Sequence, residues 1–291
     1  MICRLAIGLL AWLTFGAAVP AGRAQGQNPT FRTFTDIVAV DASVKKGKAP
    51  VGGLTAADFE VLDNGVVQQI DAVSIEAVPI DVTLVVDLSN SVIKNVHAFK
   101  DDIRKFVAML RPADRVRVVS FAYDVREDVP MQSPASPPNL DGLEVGGATS
   151  FNDGLLYAML WPEEPQRRHL VIAFTDGFDT YSTVGNASLP AIAGRVDVVL
   201  HAVLVEPEQK APASYHGSLD ALLDAVRRTG GETHRQSRAV NDFKQIVDDF
   251  RASYVLRYTP RGVARGGWHA LTVRVTRPGT FTVRARQGYG G

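Results

Sequence analysis

Residues 80–86 form a nearly continuous apolar run, Ile-Asp-Val-Thr-Leu-Val-Val, that ends on the carboxylate of Asp87. A strand of this kind is buried on both faces, a condition met in a parallel sheet covered by helices on each side. The next apolar positions, Val92, Val96, Phe99, Ile103, Phe106 and Leu110, trace one helical stripe. Lys94, Lys100, Asp101 and Lys105 fall on the other faces of that helix, and Pro112 stops it. Residues 116–121 supply the next strand. A polar segment with Pro130, Pro134, Pro137 and Pro138 follows, then a helix over about 152–160. Strands at 170–174 and 196–205 alternate with helices at 218–229 and 240–250, and residues 206–217 read as an exposed loop. This alternation predicts an α/β fold with right-handed crossovers and a doubly wound, mostly parallel sheet.

On either side of this unit the period falls to two. Phe34, Ile37, Val38 and Val40, then Phe59, Val61 and Leu62, then Val66, Val67, Ile70 and Val73 mark short strands. Lys46-Gly47-Lys48, Gly52-Gly53 and Asp63-Asn64-Gly65 supply turns, and Thr55-Ala56-Ala57-Asp58 can start a single helical turn. After residue 252 the pattern returns in three strands, around 254–258, 268–275 and 281–286. Each β piece alone buries little surface. The economical arrangement is a small β-sandwich built from both ends, with the α/β unit inserted in it and Tyr254, Tyr258 and Trp268 in its core. The expected divisions are 1–24, 25–79, 80–251 and 252–291.

The first 24 residues are read apart from the fold. Arg4 precedes an uncharged apolar stretch, residues 5–19, with small residues at Gly22 and Ala24, as in a secretory signal. The expectation is an exported protein, periplasmic or secreted, with no later segment apolar enough to span a bilayer. Removing that segment leaves 29 basic and 31 acidic side chains, a net charge of −2. Such a balance argues against broad nucleic-acid binding. The one cysteine is Cys3, inside the segment, so disulfides, thiolate metal sites and a cysteine nucleophile are excluded from the remainder.

Ligands bind open α/β sheets outside the carboxyl ends of the strands. Three clusters fall there: Asp87-Leu88-Ser89-Asn90-Ser91, Gly146-Gly147-Ala148-Thr149 before the helix containing Asp153, and Thr175-Asp176-Gly177. Together they offer the hydroxyls of Ser89, Ser91 and Thr149 and the carboxylates of Asp87 and Asp176. An all-oxygen set without thiolate or imidazole suits a hard divalent cation such as Mg²⁺, or else Mn²⁺ or Ca²⁺. Neutral hydroxyl ligands leave much of the ion's charge uncancelled, so an acidic residue of a partner protein suits the open position.

These residues resemble the metal-ion-dependent adhesion site of von Willebrand factor type A domains, over about residues 80–251. The resemblance implies a doubly wound sheet with a divalent ion at its top edge. It also implies direct ligation by Ser89, Ser91 and Thr149, with Asp87 and Asp176 acting directly or through water. Ala148, extra before Thr149, departs from the family pattern. The flanks are similar to a bacterial exported group of VWFA-related domain proteins common among acidobacteria. That similarity rests on residues 53–61, Asp63-Asn64-Gly65, Tyr254-Val255-Leu256-Arg257-Tyr258 and Gly288-Tyr289.

An enzyme is the rival class. Haloacid-dehalogenase-type phosphotransferases also place Asp at the end of a first strand, but need a second acid two residues later, where Ser89 stands here. No Gly-x-Ser-x-Gly elbow and no Gly-x₄-Gly-Lys loop occur. The six histidines show no zinc spacing and read as surface or satisfied core residues. The expected function is metal-dependent protein binding without catalysis. A structural envelope protein whose A domain binds no metal is the third reading.

Overall fold

The computed structural model describes residues 37–75, 77–92, 96–160, 164, 166–206, 216–236 and 238–291. The expected signal, the strand start at Phe34 and most of the 206–217 loop lie outside the described residues.

The apolar run becomes β6 (Ile80–Asp87), buried along its whole length. It is central in a six-stranded sheet of order β11-β10-β9-β6-β7-β8. Its neighbours are β7 (Arg115–Phe121) and β9 (Arg168–Thr175), followed outward by β10 (Val199–Leu204) and β11 (Thr233–Arg235). All these pairings are parallel. The edge strand β8 (Val125–Gln132) instead pairs antiparallel with β7, in the stretch expected to be polar and irregular. Pro130 explains the difference. It cannot donate to a ladder, but it is accommodated on an edge strand where the register shifts, beside the Val118–Val129 pair.

Helices cover both faces. α1 (Val96–Val107) and α5 (Ala239–Arg251) bury Phe99, Ile103, Phe106, Phe243, Ile246 and Phe250 on one side. α2 (Phe151–Met159), α3 (Ser188–Ala193) and α4 (His216–Thr229) pack Leu155, Met159, Leu189, Leu222 and Val226 on the other. The doubly wound α/β architecture is therefore present as expected. Lys100 is not a solvated residue of α1: it is buried, and its Nζ donates to the Asp141 carbonyl at 3.3 Å.

Both ends of the chain meet in two further sheets. One has the order β14-β1-β12-β5, with β2 against β1; the other is β15-β13-β3-β4. The strands are β1 (Val38–Lys46), β2 (Ala49–Pro50), β3 (Phe59–Asp63), β4 (Val66–Gln68) and β5 (Ile70–Ser74) from one end. From the other come β12 (Tyr254–Tyr258), β13 (Trp268–Val275), β14 (Thr282–Ala285) and β15 (Gly288–Gly290). They share one core, with Val40, Val61, Tyr254, Leu256 and Tyr258 at its centre. Its polar anchor is the fully buried Asp63, which accepts from Tyr258 at 2.9 Å, Tyr289 at 2.8 Å and His269 Nδ1 at 2.8 Å. That one carboxylate ties together β3, β12, β13 and β15. Trp268 is a correction to the expected core: it is half exposed, and its ring covers Gly194, where a Cβ would stand 2.8 Å from the indole.

Charged side chains join the sandwich to the amino ends of the parallel strands. Lys45 Nζ on β1 donates to Glu232 at 3.1 Å and to Asp249 on α5 at 2.7 Å. Arg168, at the start of β9, pairs with Asp41 and Ser253 and lies 3.9 Å over the Phe250 ring. At the same end Asp81 receives Arg115 Nε at 2.9 Å and Arg167 Nε at 2.6 Å, with His169 Nε2 at 3.3 Å. Burial opposes its ionisation, but His169, Arg115 and Arg167 outweigh that and hold its carboxyl well below the usual range.

Replacing Lys45 by Met leaves Asp249 buried without its cation, and stability is expected to fall by about 3 kcal/mol in urea unfolding. For Asp81 the folded carboxyl ionises more readily than the unfolded one. Its contribution is therefore present above the ordinary value of about 4 and is lost as pH falls through and below it. Urea midpoints recorded from pH 6 to pH 2.5 should drop more shallowly in Asp81→Asn than in the wild type.

Candidate metal centre

The parallel pairing of β6 with β9 places Val86 beside Phe174, so Asp87 and Thr175 leave the sheet side by side. Thr175 Oγ1 donates to Asp87 Oδ2 at 2.7 Å, and the Ser89 amide donates to Oδ1 at 2.9 Å. Asp87 is fully buried. The 89–91 turn folds back so that the Ser89 and Ser91 hydroxyls are 3.1 Å apart, and Ser91 Oγ donates to Asp176 Oδ2 at 2.8 Å. Four of the five expected residues thus form one connected group.

Asp176 reaches that position because Gly177 follows it in the left-handed region, at φ +81°. The Gly177 amide donates to Thr175 Oγ1 at 2.9 Å, and its carbonyl accepts from Ser218 at 2.9 Å. The Phe178 amide donates to Asp176 Oδ1 at 3.1 Å.

Thr149 sits in the neighbouring loop. Gly146 and Gly147, at φ +148° and +92°, turn that loop toward β6, and the Gly146 amide donates to the Leu88 carbonyl at 3.0 Å. The Thr149 amide donates to Thr180 Oγ1 at 2.8 Å, while its carbonyl accepts from the Thr180 and Tyr181 amides at 2.9 and 3.1 Å. Its residue is buried, but among the described residues no hydrogen bond joins its hydroxyl to the other four.

Burial is the first cause that raises the Asp87 carboxyl, to about 7, and the charge of Asp176 pushes the same way against hydrogen bonds from Ser89 and Thr175. Burial likewise raises Asp176, opposed by Ser91 and the Phe178 amide. Among the described residues, the leading influences on the two carboxylates are burial, the Asp176 charge on Asp87, and hydroxyl and amide donors, with no basic side chain among them. Two buried carboxylates that repel each other, ringed by hydroxyls, form a donor set suited to a hard divalent cation. Among the described residues no group of three or more His, Cys, Asp or Glu side chains is arranged to hold a metal, so this set depends on its hydroxyls. A cavity of about 550 Å³ opens between α1 and α5, lined in part by Val92, Phe99 and Ala239. None of the five residues lines it.

Several supporting residues escaped sequence reasoning. Asp179 Oδ2 accepts from the Asn152 amide at 2.8 Å, and Ser182 Oγ accepts from the Asp153 amide at 3.1 Å, so the 179–182 loop caps α2. Asp153 in return accepts from the amides of Thr183 and Val184, both at 2.9 Å. These partners are about thirty residues apart in sequence, and no spacing rule connects them.

The von Willebrand factor type A domain profile matches residues 81–250, and the chain belongs to that family. No curated protein matches the chain. Among solved structures, a von Willebrand factor type A protein from Catenulispora acidiphila is similar at 12% identity and TM-score 0.47, covering 89% of this chain and 76% of that one. The ArnB paralog VWA2 from Sulfolobus acidocaldarius is similar at 9% identity and TM-score 0.46, covering 86% and 74%. BatB from Bacteroides thetaiotaomicron is similar at 16% identity and TM-score 0.41, covering 58% and 96%. Domains of this family typically mediate protein–protein interactions, some of them metal-dependent, and are generally not enzymes. No helix among the described residues is long and apolar enough to cross a membrane.

Gly177→Ala tests how the turn presents Asp176. A Cβ there would meet Leu219 Cδ1 at 2.7 Å, in a backbone region that costs other residues about 1–2 kcal/mol. Thermal unfolding is expected to shift down accordingly, whereas Gly185→Ala, with nothing within 4 Å, leaves it nearly unchanged.

Proposed function

We propose that the chain is an exported, metal-dependent protein-binding module in which Asp87, Ser89, Ser91, Thr149 and Asp176 hold Mg²⁺. The observation that carries this reading is the pair of buried carboxylates, Asp87 and Asp176, joined through the Ser89 and Ser91 hydroxyls, with no basic group among the leading influences on either among the described residues. Mn²⁺ and Ca²⁺ satisfy the same hard-oxygen chemistry. When bound, the ion supplies an open coordination position to a carboxylate of a partner protein.

The chain's own residues hold and orient. Thr175 and the Ser89 amide fix the Asp87 carboxylate, and the Ser89–Ser91–Asp176 chain of hydrogen bonds keeps two hydroxyls and the second carboxylate together. Thr149 is carried by a loop whose main chain is locked to residues 180–181. Hydrolysis is disfavoured because Ser89 occupies the acid/base position, two residues after Asp87. Export rests on the sequence of the first 24 residues, and the partner is a protein rather than nucleic acid because the formal charge is balanced.

Calorimetric titration with Mg²⁺ should give a saturable heat in the wild type, with affinity at least about tenfold weaker in Asp87→Ala. Equal heats in the two proteins would remove the site. A pull-down from the native envelope, run in parallel with Mg²⁺ and with EDTA, should retain a partner in the Mg²⁺ arm only.

A further inference from the structure

Two histidines stand ring to ring where the β-sandwich meets the α/β unit. Val203 of β10 pairs in parallel with His234 of β11, and His201 lies two residues before Val203, so both rings leave the same face of the sheet. His201 Nδ1 is 3.1 Å from His234 Nε2, and the rings are stacked at 24° between planes. With both rings neutral, one nitrogen donates its proton and the other accepts. His201 is buried and His234 half-buried. A cavity of about 20 Å³, room for one water, touches His201 at this seam and is also lined by Lys45, Glu232, Asp249 and Arg284.

Every element packed around the pair brings charge. β1 contributes Asp41 and Lys45, β14 Arg284, the segment before β11 Glu232, and α5 Asp242 and Asp249. Glu232 accepts from Lys45 at 3.1 Å and lies 3.0 Å from Arg284, Asp249 accepts from Lys45 at 2.7 Å, and Asp41 pairs with Arg168. Two cations of the sandwich therefore hold the α/β unit through two acids that adjoin the histidines. An added proton on the pair removes the accepting lone pair, and the ring-to-ring hydrogen bond is lost. The new cation is repelled by Lys45 and Arg284, or displaces them from Glu232 and Asp249. Either outcome weakens the hold on β1 and β14.

We propose that the His201–His234 pair is an acid-sensitive latch, whose protonation frees Lys45 and Arg284 from Glu232 and Asp249 and loosens the sandwich from the α/β unit while each part stays folded. Burial is the first cause that keeps both rings neutral when the seam is closed. Lys45 adds to it at both rings and Arg284 at His201, against Glu232, Asp249 and Asp242 at His234. In the open seam a ring takes up its proton at the ordinary value of about 6.5. Closure is therefore complete above that value and is lost as pH falls below it. One ring held neutral by closure raises the open population about twentyfold between pH 7 and pH 5, a window in which ordinary carboxylates stay ionised.

The test is amide hydrogen exchange of the full chain by NMR between pH 7 and pH 5, corrected for intrinsic exchange. Its reporter is Gln287, whose amide crosses the seam to the Arg228 carbonyl at 2.9 Å. Protection at Gln287 should fall about twentyfold across the range, while that of Val85 within β6 is unchanged. The double variant His201→Asn/His234→Gln keeps an amide donor and acceptor in place of Nδ1 and Nε2 without a titrating ring, and should hold Gln287 protected throughout. The imidazole resonances of the wild type give a second reading that needs no variant: both rings should gain protons over the range in which Gln287 loses protection. Rings that take up protons with Gln287 still protected would overturn the latch, as would a fall in the double variant equal to that in the wild type. Equal loss at Gln287 and Val85 would also overturn it, because the whole chain would then be unfolding.

Discussion

Two carboxylates buried at one edge of a parallel sheet, without a basic partner among the described residues, set the terms for everything around them. An isolated buried charge is costly enough that a protein normally neutralises or pairs it. Here Asp87 and Asp176 are brought together by the strand register itself, because residue 87 follows β6 and residues 175–176 follow its direct neighbour β9. The surrounding hydroxyls of Ser89, Ser91 and Thr175 lessen the cost without cancelling the charge. A one-residue slip between β6 and β9 would turn one of these groups toward the opposite face of the sheet. The apolar runs that fix that register are thus as much part of the site as the carboxylates are.

The central strands and the longer helices were legible because their burial is extreme and leaves a continuous pattern. β6, β9 and β10 read as apolar runs, and α1 and α5 as stripes. Elements at the margins left weaker traces. β8 carries Pro130 and alternates polar residues as an edge strand does; β11 and β15 are three residues each, and α3 six. Such pieces are defined by what they dock against, and local sequence contains little of that. The same division runs through the candidate site. Asp87, Ser89 and Ser91 lie within five residues and are visible as a motif, whereas Thr180 bracing Thr149 and Asp179 capping α2 depend on approach across the fold.

The histidines illustrate a further limit. Read one by one they were expected to be surface or satisfied core groups, and the structure shows what four of them lie against. His269 lies against Asp63, His169 against Asp81, and His201 Nδ1 is 3.1 Å from His234 Nε2 with the rings stacked. Burial pushes both His201 and His234 down, with the positive charge of Lys45 acting in the same direction, so both rings stay neutral in the folded chain near neutral pH. Their surroundings come from β1, β10, β11 and α5, four elements far apart in sequence.

The two ends of the parallel strands are treated in opposite ways. At the amino ends, Lys45, Arg168, Arg115, Arg167 and Arg286 each meet a carboxylate, and the sandwich closes over that end through Asp41, Asp249 and Asp197. At the carboxyl ends, Asp87 and Asp176 are brought together in a buried position, and burial is the first cause that raises both carboxyls. Charge compensation within the chain stabilises the first end and attaches the flanking strands to it. On the proposed reading, a cation supplies the balance for that pair. Built against the amino ends of the strands, the sandwich anchors the α/β unit at the end opposite Asp87 and Asp176.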